Sequence, residues 1–94
     1  MKIAWTRLAL ADIRHTRDYT AQENSDAADL VLERIEKAVH NLKAFPHLGR
    51  SGRVKNTREL IILGTPYLVA YRVRKSNLEI LAAIHGARRW PESL

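Results

Sequence analysis

The stretch Tyr67-Leu68-Val69-Ala70-Tyr71-Arg72-Val73-Arg74, Lys75-Ser76-Asn77, Leu78-Glu79-Ile80-Leu81-Ala82-Ala83-Ile84-His85 decides the fold. Two runs rich in β-branched and aromatic residues flank a polar three-residue break, which reads as a β-hairpin. The first run puts Tyr67, Val69, Tyr71 and Val73 on one face, and Leu68, Ala70, Arg72 and Arg74 on the other. The second puts Leu78, Ile80, Ala82 and Ile84 on one face, and Glu79, Leu81, Ala83 and His85 on the other. Beyond the hairpin the chain turns basic and aromatic through Gly86-Ala87-Arg88-Arg89-Trp90-Pro91.

Upstream, Arg58-Glu59-Leu60-Ile61-Ile62-Leu63 reads as a third strand, joined to Tyr67 through the turn Gly64-Thr65-Pro66. Turns this short make the three strands an antiparallel meander. The segment from His47 to Thr57, with Gly49, Gly52, Arg50, Arg53 and Lys55, reads as a mobile basic connector. It lacks the spacing and the Lys-Ser/Thr ending of a phosphate loop, and no strand leads into it.

The N-terminal half is helical. Ala28, Val31, Ile35, Ala38, Leu42 and Phe45 recur every three or four residues and form one apolar stripe. Asn24 or Ser25 caps this helix, and Pro46 stops it. Arg7 to about Gln22 is a second helix, capped by Thr6, with Ala9, Ile13, Thr16 and Thr20 on one side. The two helices form an antiparallel hairpin. Lys2 to Thr6 alternates as a short strand. The expected architecture is α+β: β-α-α-β-β-β, an antiparallel sheet packed on a helix hairpin as a two-layer sandwich, in one domain over residues 1–94.

Composition narrows the function. There is no cysteine, so disulfides and thiolate metal sites are excluded. No apolar run approaches the roughly 18 residues of a membrane span, and Met1 to Arg7 lacks a signal-peptide segment, so a cytoplasmic protein is expected. The net charge is +6, all of it in residues 48–94; residues 1–47 are neutral. That asymmetry points to an acidic or polyanionic partner, or else to a solvated basic surface. His15, His40, His47 and His85 are scattered without ligand spacing, so no metal and no cofactor are expected.

The remaining chemistry is cleavage of RNA through its own 2′-hydroxyl, which needs an acid–base group and cations around the phosphorane. His85 offers the first; Arg72 and Arg88 offer the second, with Arg89 nearby. Against that stand structural roles: His85 as a strand-end histidine bonded to backbone, Arg72 paired with Glu79 across the hairpin, and Trp90 as a packing anchor.

The segments Phe45-Pro46-His47-Leu48-Gly49-Arg50, Tyr71-Arg72-Val73 and His85-Gly86-Ala87-Arg88-Arg89-Trp90, in this order on this element pattern, resemble the RelE/ParE toxins of type II toxin–antitoxin modules. The likeness spans essentially the whole chain, and the ParE, or plasmid-stabilisation, branch is nearest. It implies a growth-inhibiting toxin that binds DNA gyrase as a protein inhibitor rather than acting as an enzyme. The alternative it carries is a ribosome-dependent mRNA endonuclease of RelE type; a third form is a regulatory member that represses DNA only together with its antitoxin. RelE-type enzymes carry cations at positions that fall here on Glu59, Ile61 and Leu68, and a tail tyrosine that falls on Leu94; only Arg88 matches. In the gyrase reading the target-binding residues are His85, Arg88, Arg89 and Trp90; in the ribonuclease reading the catalytic group is Arg72, His85 and Arg88. Every form implies a cognate antitoxin whose acidic segment folds on the toxin, seated on the helix hairpin and an exposed sheet edge.

Overall fold

The computed structural model describes residues 1–86, the side chains of residues 19, 21 and 23 excepted. The chain runs β1 (Lys2–Trp5), α1 (Arg7–Glu23), α2 (Ser25–Asn41), β2 (Arg50–Ser51), β3 (Arg58–Ile61), β4 (Tyr67–Arg74) and β5 (Asn77–His85). The expected α+β sandwich forms: one five-stranded sheet, ordered β1-β5-β4-β3-β2, with the helix hairpin on one face.

Side-chain caps set the helix boundaries. Thr6 Oγ1 accepts the Ala9 N–H at 3.1 Å and starts α1. Asn24 closes α1 by donating its N–H to Thr20 O, and its Oδ1 accepts the N–H groups of Asp26 and Ala27 to open α2. One extended residue therefore serves both helix ends and folds the hairpin. On α2, Ala28, Ile35 and Val39 are buried. The stripe was expected to run on through Phe45, but the helix stops at Asn41. Leu42, Lys43 and Ala44 instead make tight three-residue bonds to Val39, His40 and Asn41. Pro46 disfavours helical geometry at Phe45, which is left 64% exposed.

The meander β3–β4–β5 is antiparallel, closed by a two-residue turn in which Lys75 takes φ 47°. The sheet departs from the antiparallel expectation at β1, which pairs with β5 in parallel, Ile3 beside Leu78 and Trp5 beside Ile80. The intervening helices and strands supply the long crossover that a parallel pair requires.

A β-bulge corrects the face assignment of β5. Ala70 pairs with Ala82 but Tyr71 pairs with Ile80, so Leu81 is an extra residue. The alternation flips there. Leu78, Ile80 and Ala83 join the main core with Ile35, Val39, Val69 and Tyr71. Ala82 and Ile84 cross to the other face, where they pack with Leu68 and Ala70.

Candidate functional site

The bulge decides where His85 lies. It pairs with Tyr67, and their rings meet edge-on with centroids 5.3 Å apart, on the helix-facing side of the sheet. Arg72 lies on the outer face. Its Nε donates to Glu79 Oε1 at 2.8 Å, and Arg74 Nε lies 3.5 Å from the same oxygen. The bond from Arg72 holds the Glu79 carboxyl below its ordinary range. From the Arg72–Glu79 rung to the Tyr67–His85 rung is five residues along β4, about 17 Å at 3.3 Å each. The structure thus leaves Arg72 and His85 far apart and on opposite faces. Arg88, Arg89 and Trp90 lie outside the described residues.

The outer face is apolar at its centre. Leu68, Ala70, Ala82 and Ile84 are buried, with Ile61 beside Leu68. Next to them Glu59 is only 4% exposed. Its two oxygens are taken by Arg50 Nη2 at 3.2 Å and by the Arg53 N–H at 2.8 Å. A buried carboxylate needs such partners, and the basic segment provides them. The same segment, expected to be mobile, is anchored. Arg58 Nη1 donates to Gly49 O at 2.7 Å, and the Tyr71 hydroxyl donates to Pro46 O at 2.9 Å while accepting the Gly49 N–H at 2.8 Å. Burial pushes the Tyr71 phenol up, so it keeps its donor proton. Sequence reading placed Glu59 and Tyr71 on strands without their loop partners; the available signal was a lone acid entering an apolar strand just after Arg50, Arg53 and Arg58.

At the opposite edge, α1 takes over from β1. Thr6 Oγ1 donates to Leu81 O at 3.1 Å, and Asp12 Oδ2 accepts the Ala83 N–H at 3.0 Å. Burial pushes the Asp12 carboxyl up; the Ala83 N–H and His15 oppose that shift less strongly. Between α1, α2 and β1 lies a cavity of about 730 Å³. Trp5, Ile13, Leu32 and Val39 give it an apolar floor, and Arg14, Arg17 and Lys43 line its rim with Glu36. Among the described residues no group of three or more His, Cys, Asp or Glu is placed to hold a metal ion, and no helix is long and apolar enough to cross a membrane.

The sequence model of the ParE toxin of type II toxin–antitoxin systems, parDE, matches residues 3–90. The chain belongs to the ParE toxin family. Relatives agree with that placement. A Sinorhizobium fredii protein named as a toxin, Y4kP, is 39% identical over 99% of this chain and 96% of its own length. Toxin RelE2 of Caulobacter vibrioides is 33% identical over 93% of this chain and 97% of its own. A solved structure of the chromosomal ParDE system of P. aeruginosa superposes with TM-score 0.80 at 27% identity, covering 90% of this chain and 95% of that one. A YoeB/ParE toxin of Agrobacterium tumefaciens shares the fold at TM-score 0.64 and 22% identity, over 90% and 98% of the two chains. As a ParE-family type II toxin, the protein has a cognate antitoxin as its partner.

Proposed function

We propose that this ParE-family toxin arrests growth by binding DNA gyrase through protein–protein contact, and that its antitoxin neutralises it. The observation that carries this reading is the outer face of the sheet. Where a ribonuclease of RelE type needs cations, this sheet presents a neutralised Glu59, Ile61 and a buried Leu68. Arg72 is engaged by Glu79, about five rungs from His85 and on the other face. Phosphorane charge is stabilised by cations set within bonding distance of one point, and Arg72 and His85 do not converge. His85, Arg88, Arg89 and Trp90 form the target-contacting end in this reading. The basic-rimmed groove between the helices receives the antitoxin's acidic helix, with charge attraction speeding the encounter.

The similarity to toxin RelE2 favours a second reading, a ribosome-dependent mRNA endonuclease. One experiment separates the two. Purified toxin is added to a gyrase supercoiling reaction and to a translation reaction read by primer extension. Loss of supercoiling without codon-positioned cuts is the expected result. Cuts that vanish in His85→Ala establish the endonuclease instead.

A further inference from the structure

The face of the sheet turned away from the helices gathers cations from four strands. Ile3 and Trp5 pack into the helix-side core, so Lys2 and Ala4 of β1 point outward. Across the sheet, Asn77 and Glu79 of β5, Arg72 and Arg74 of β4, Glu59 of β3 and Arg50 of β2 share that side. With Arg53 just past β2, five cations stand against two carboxylates. Each carboxylate is shared. Glu79 Oε1 lies 2.8 Å from Arg72 Nε and 3.5 Å from Arg74 Nε. Glu59 lies 3.2 Å from Arg50 and 3.8 Å from Arg53. One acid thus orients two guanidiniums while cancelling the charge of one. The side chains of Arg50 and Arg74 remain 58% and 65% exposed, and Lys2 is exposed. A guanidinium carries five N–H donors, so a bond to Glu59 or Glu79 leaves donors for a second anion.

The layout of the face selects the anion. Its cations do not converge: from Lys2 on β1 to Arg50 on β2 is four strand spacings, about 19 Å. A spread of this kind fails a single phosphorane but suits a row of phosphates, and a duplex carries one per roughly 1.7 Å of its axis. The apolar side chains at the centre, Leu68, Ala70, Ala82 and Ile84, are buried. Among the described strand residues, Ile61 at the edge is the one large apolar side chain exposed on this face. A protein partner needs an apolar centre to its interface, whereas phosphate contacts do not. Aromatic rings are also missing from the described part of the face, because Trp5, Tyr67 and Tyr71 pack on the helix side. Single-stranded nucleic acid is held by stacking its bases on such rings, so the face fits a duplex better.

We propose that this face holds duplex DNA by its phosphates, without regard to base sequence. Lys2, Arg50, Arg72 and Arg74 make the contacts, with Glu79 steadying Arg72 and Arg74, and Glu59 steadying Arg50. The hold is weak and strongly salt-dependent, of the kind that gathers a protein onto DNA rather than selecting a site. It goes beyond the gyrase reading and stands or falls separately from it. DNA retention brings the toxin to the molecule on which gyrase works, yet it persists if mRNA proves to be the target.

Fluorescence anisotropy tests this with the full chain and two fluorescein-labelled duplexes of unrelated sequence, each of about 20 base pairs. The two duplexes should bind alike, and log affinity should fall against log salt with a slope of about −3 to −4, as four phosphate contacts require. The double variant Lys2→Gln/Arg74→Gln should weaken binding about tenfold and flatten the slope by about 2, with a native circular dichroism spectrum. Arg7→Gln/Lys37→Gln removes the same charge from α1 and α2, and should change affinity less than about twofold. If the first double variant does not fold, Arg50→Gln carries the test, with the slope flatter by about 1. The proposal is overturned by absence of binding up to about 100 μM protein, the weak end of non-specific affinity. Equal weakening by the two double variants overturns it in favour of net charge alone. Tighter binding to the single strand than to its duplex overturns it in favour of a single-stranded ligand.

Discussion

Tyr71→Phe tests how firmly the segment between α2 and β3 is tied to the core. Tyr71 is fully buried, and its hydroxyl bridges Pro46 O at 2.9 Å and the Gly49 N–H at 2.8 Å. Removing one oxygen leaves little void, so the cost comes from the stranded partners. Gly49 is buried, and an unsatisfied buried N–H costs about 1–3 kcal/mol; half-buried Pro46 can turn its carbonyl to water for less. The expected loss is therefore about 2–3 kcal/mol, a large share of the roughly 5–15 kcal/mol a domain possesses. In a chain of this length it corresponds to a melting point lower by roughly 10–20 °C. Urea denaturation followed by circular dichroism measures it, with hydrogen exchange at Gly49 as a local reading. Gly49→Ala approaches the same joint from the other side, since its added Cβ would lie 2.7 Å from Tyr71 Cε1. The double variant should lose less than the sum of the singles, because they share one contact. A change under about 0.5 kcal/mol with unaltered exchange at Gly49 refutes the reasoning.

Two further outcomes follow from α1 and α2. Asp12→Asn should remove one component of the pH dependence: the folded carboxyl sits above its ordinary value of 3.8, so the folded chain holds that proton more tightly than the unfolded one. Its contribution to stability is full below that ordinary value and is lost as pH rises through the raised one. The stability of wild type minus variant should therefore fall from acid toward neutral pH in urea titrations, and a flat difference counts against the assignment. Asn24→Ala should cost about 1 kcal/mol in thermal melts, because the Oδ1 that caps α2 is lost; an unchanged melt means water replaces the cap.

Much of this architecture is legible in the residues. Thr6 and the Asn24-Ser25 pair mark helix starts by their hydrogen-bonding side chains, and Tyr67–Arg74 alternates cleanly enough to fix both faces. What escaped has physical reasons. Leu81-Ala82-Ala83-Ile84 is apolar throughout, so no polar residue reveals the bulge that flips its faces. His85 consequently lands beside Tyr67 rather than with Arg72. Leu42 keeps the helical spacing and is buried, but it achieves this from a tight turn after Asn41. Glu59 looks out of place in a strand until Arg50 of β2 and Arg53 just beyond it fold over it, a contact set by tertiary structure alone. The tail carrying Arg88, Arg89 and Trp90 falls outside the described residues, so its role rests on the resemblance and on the assays above.

The parallel pairing of β1 with β5 also bears on how the chain is made. Thr6 reaches Leu81 across 75 positions of sequence. At roughly 5–20 residues per second, about 4–15 s separate the synthesis of these two partners. Until β5 emerges, β1 has none of its described neighbours, and α1 lacks the Ala83 N–H that Asp12 accepts. Among the described strands β5 is made last and lies between β1 and β4, so it joins them in one late step. A chain cut short before Asn77 thus forfeits both the strand β5 and the only described partner of β1.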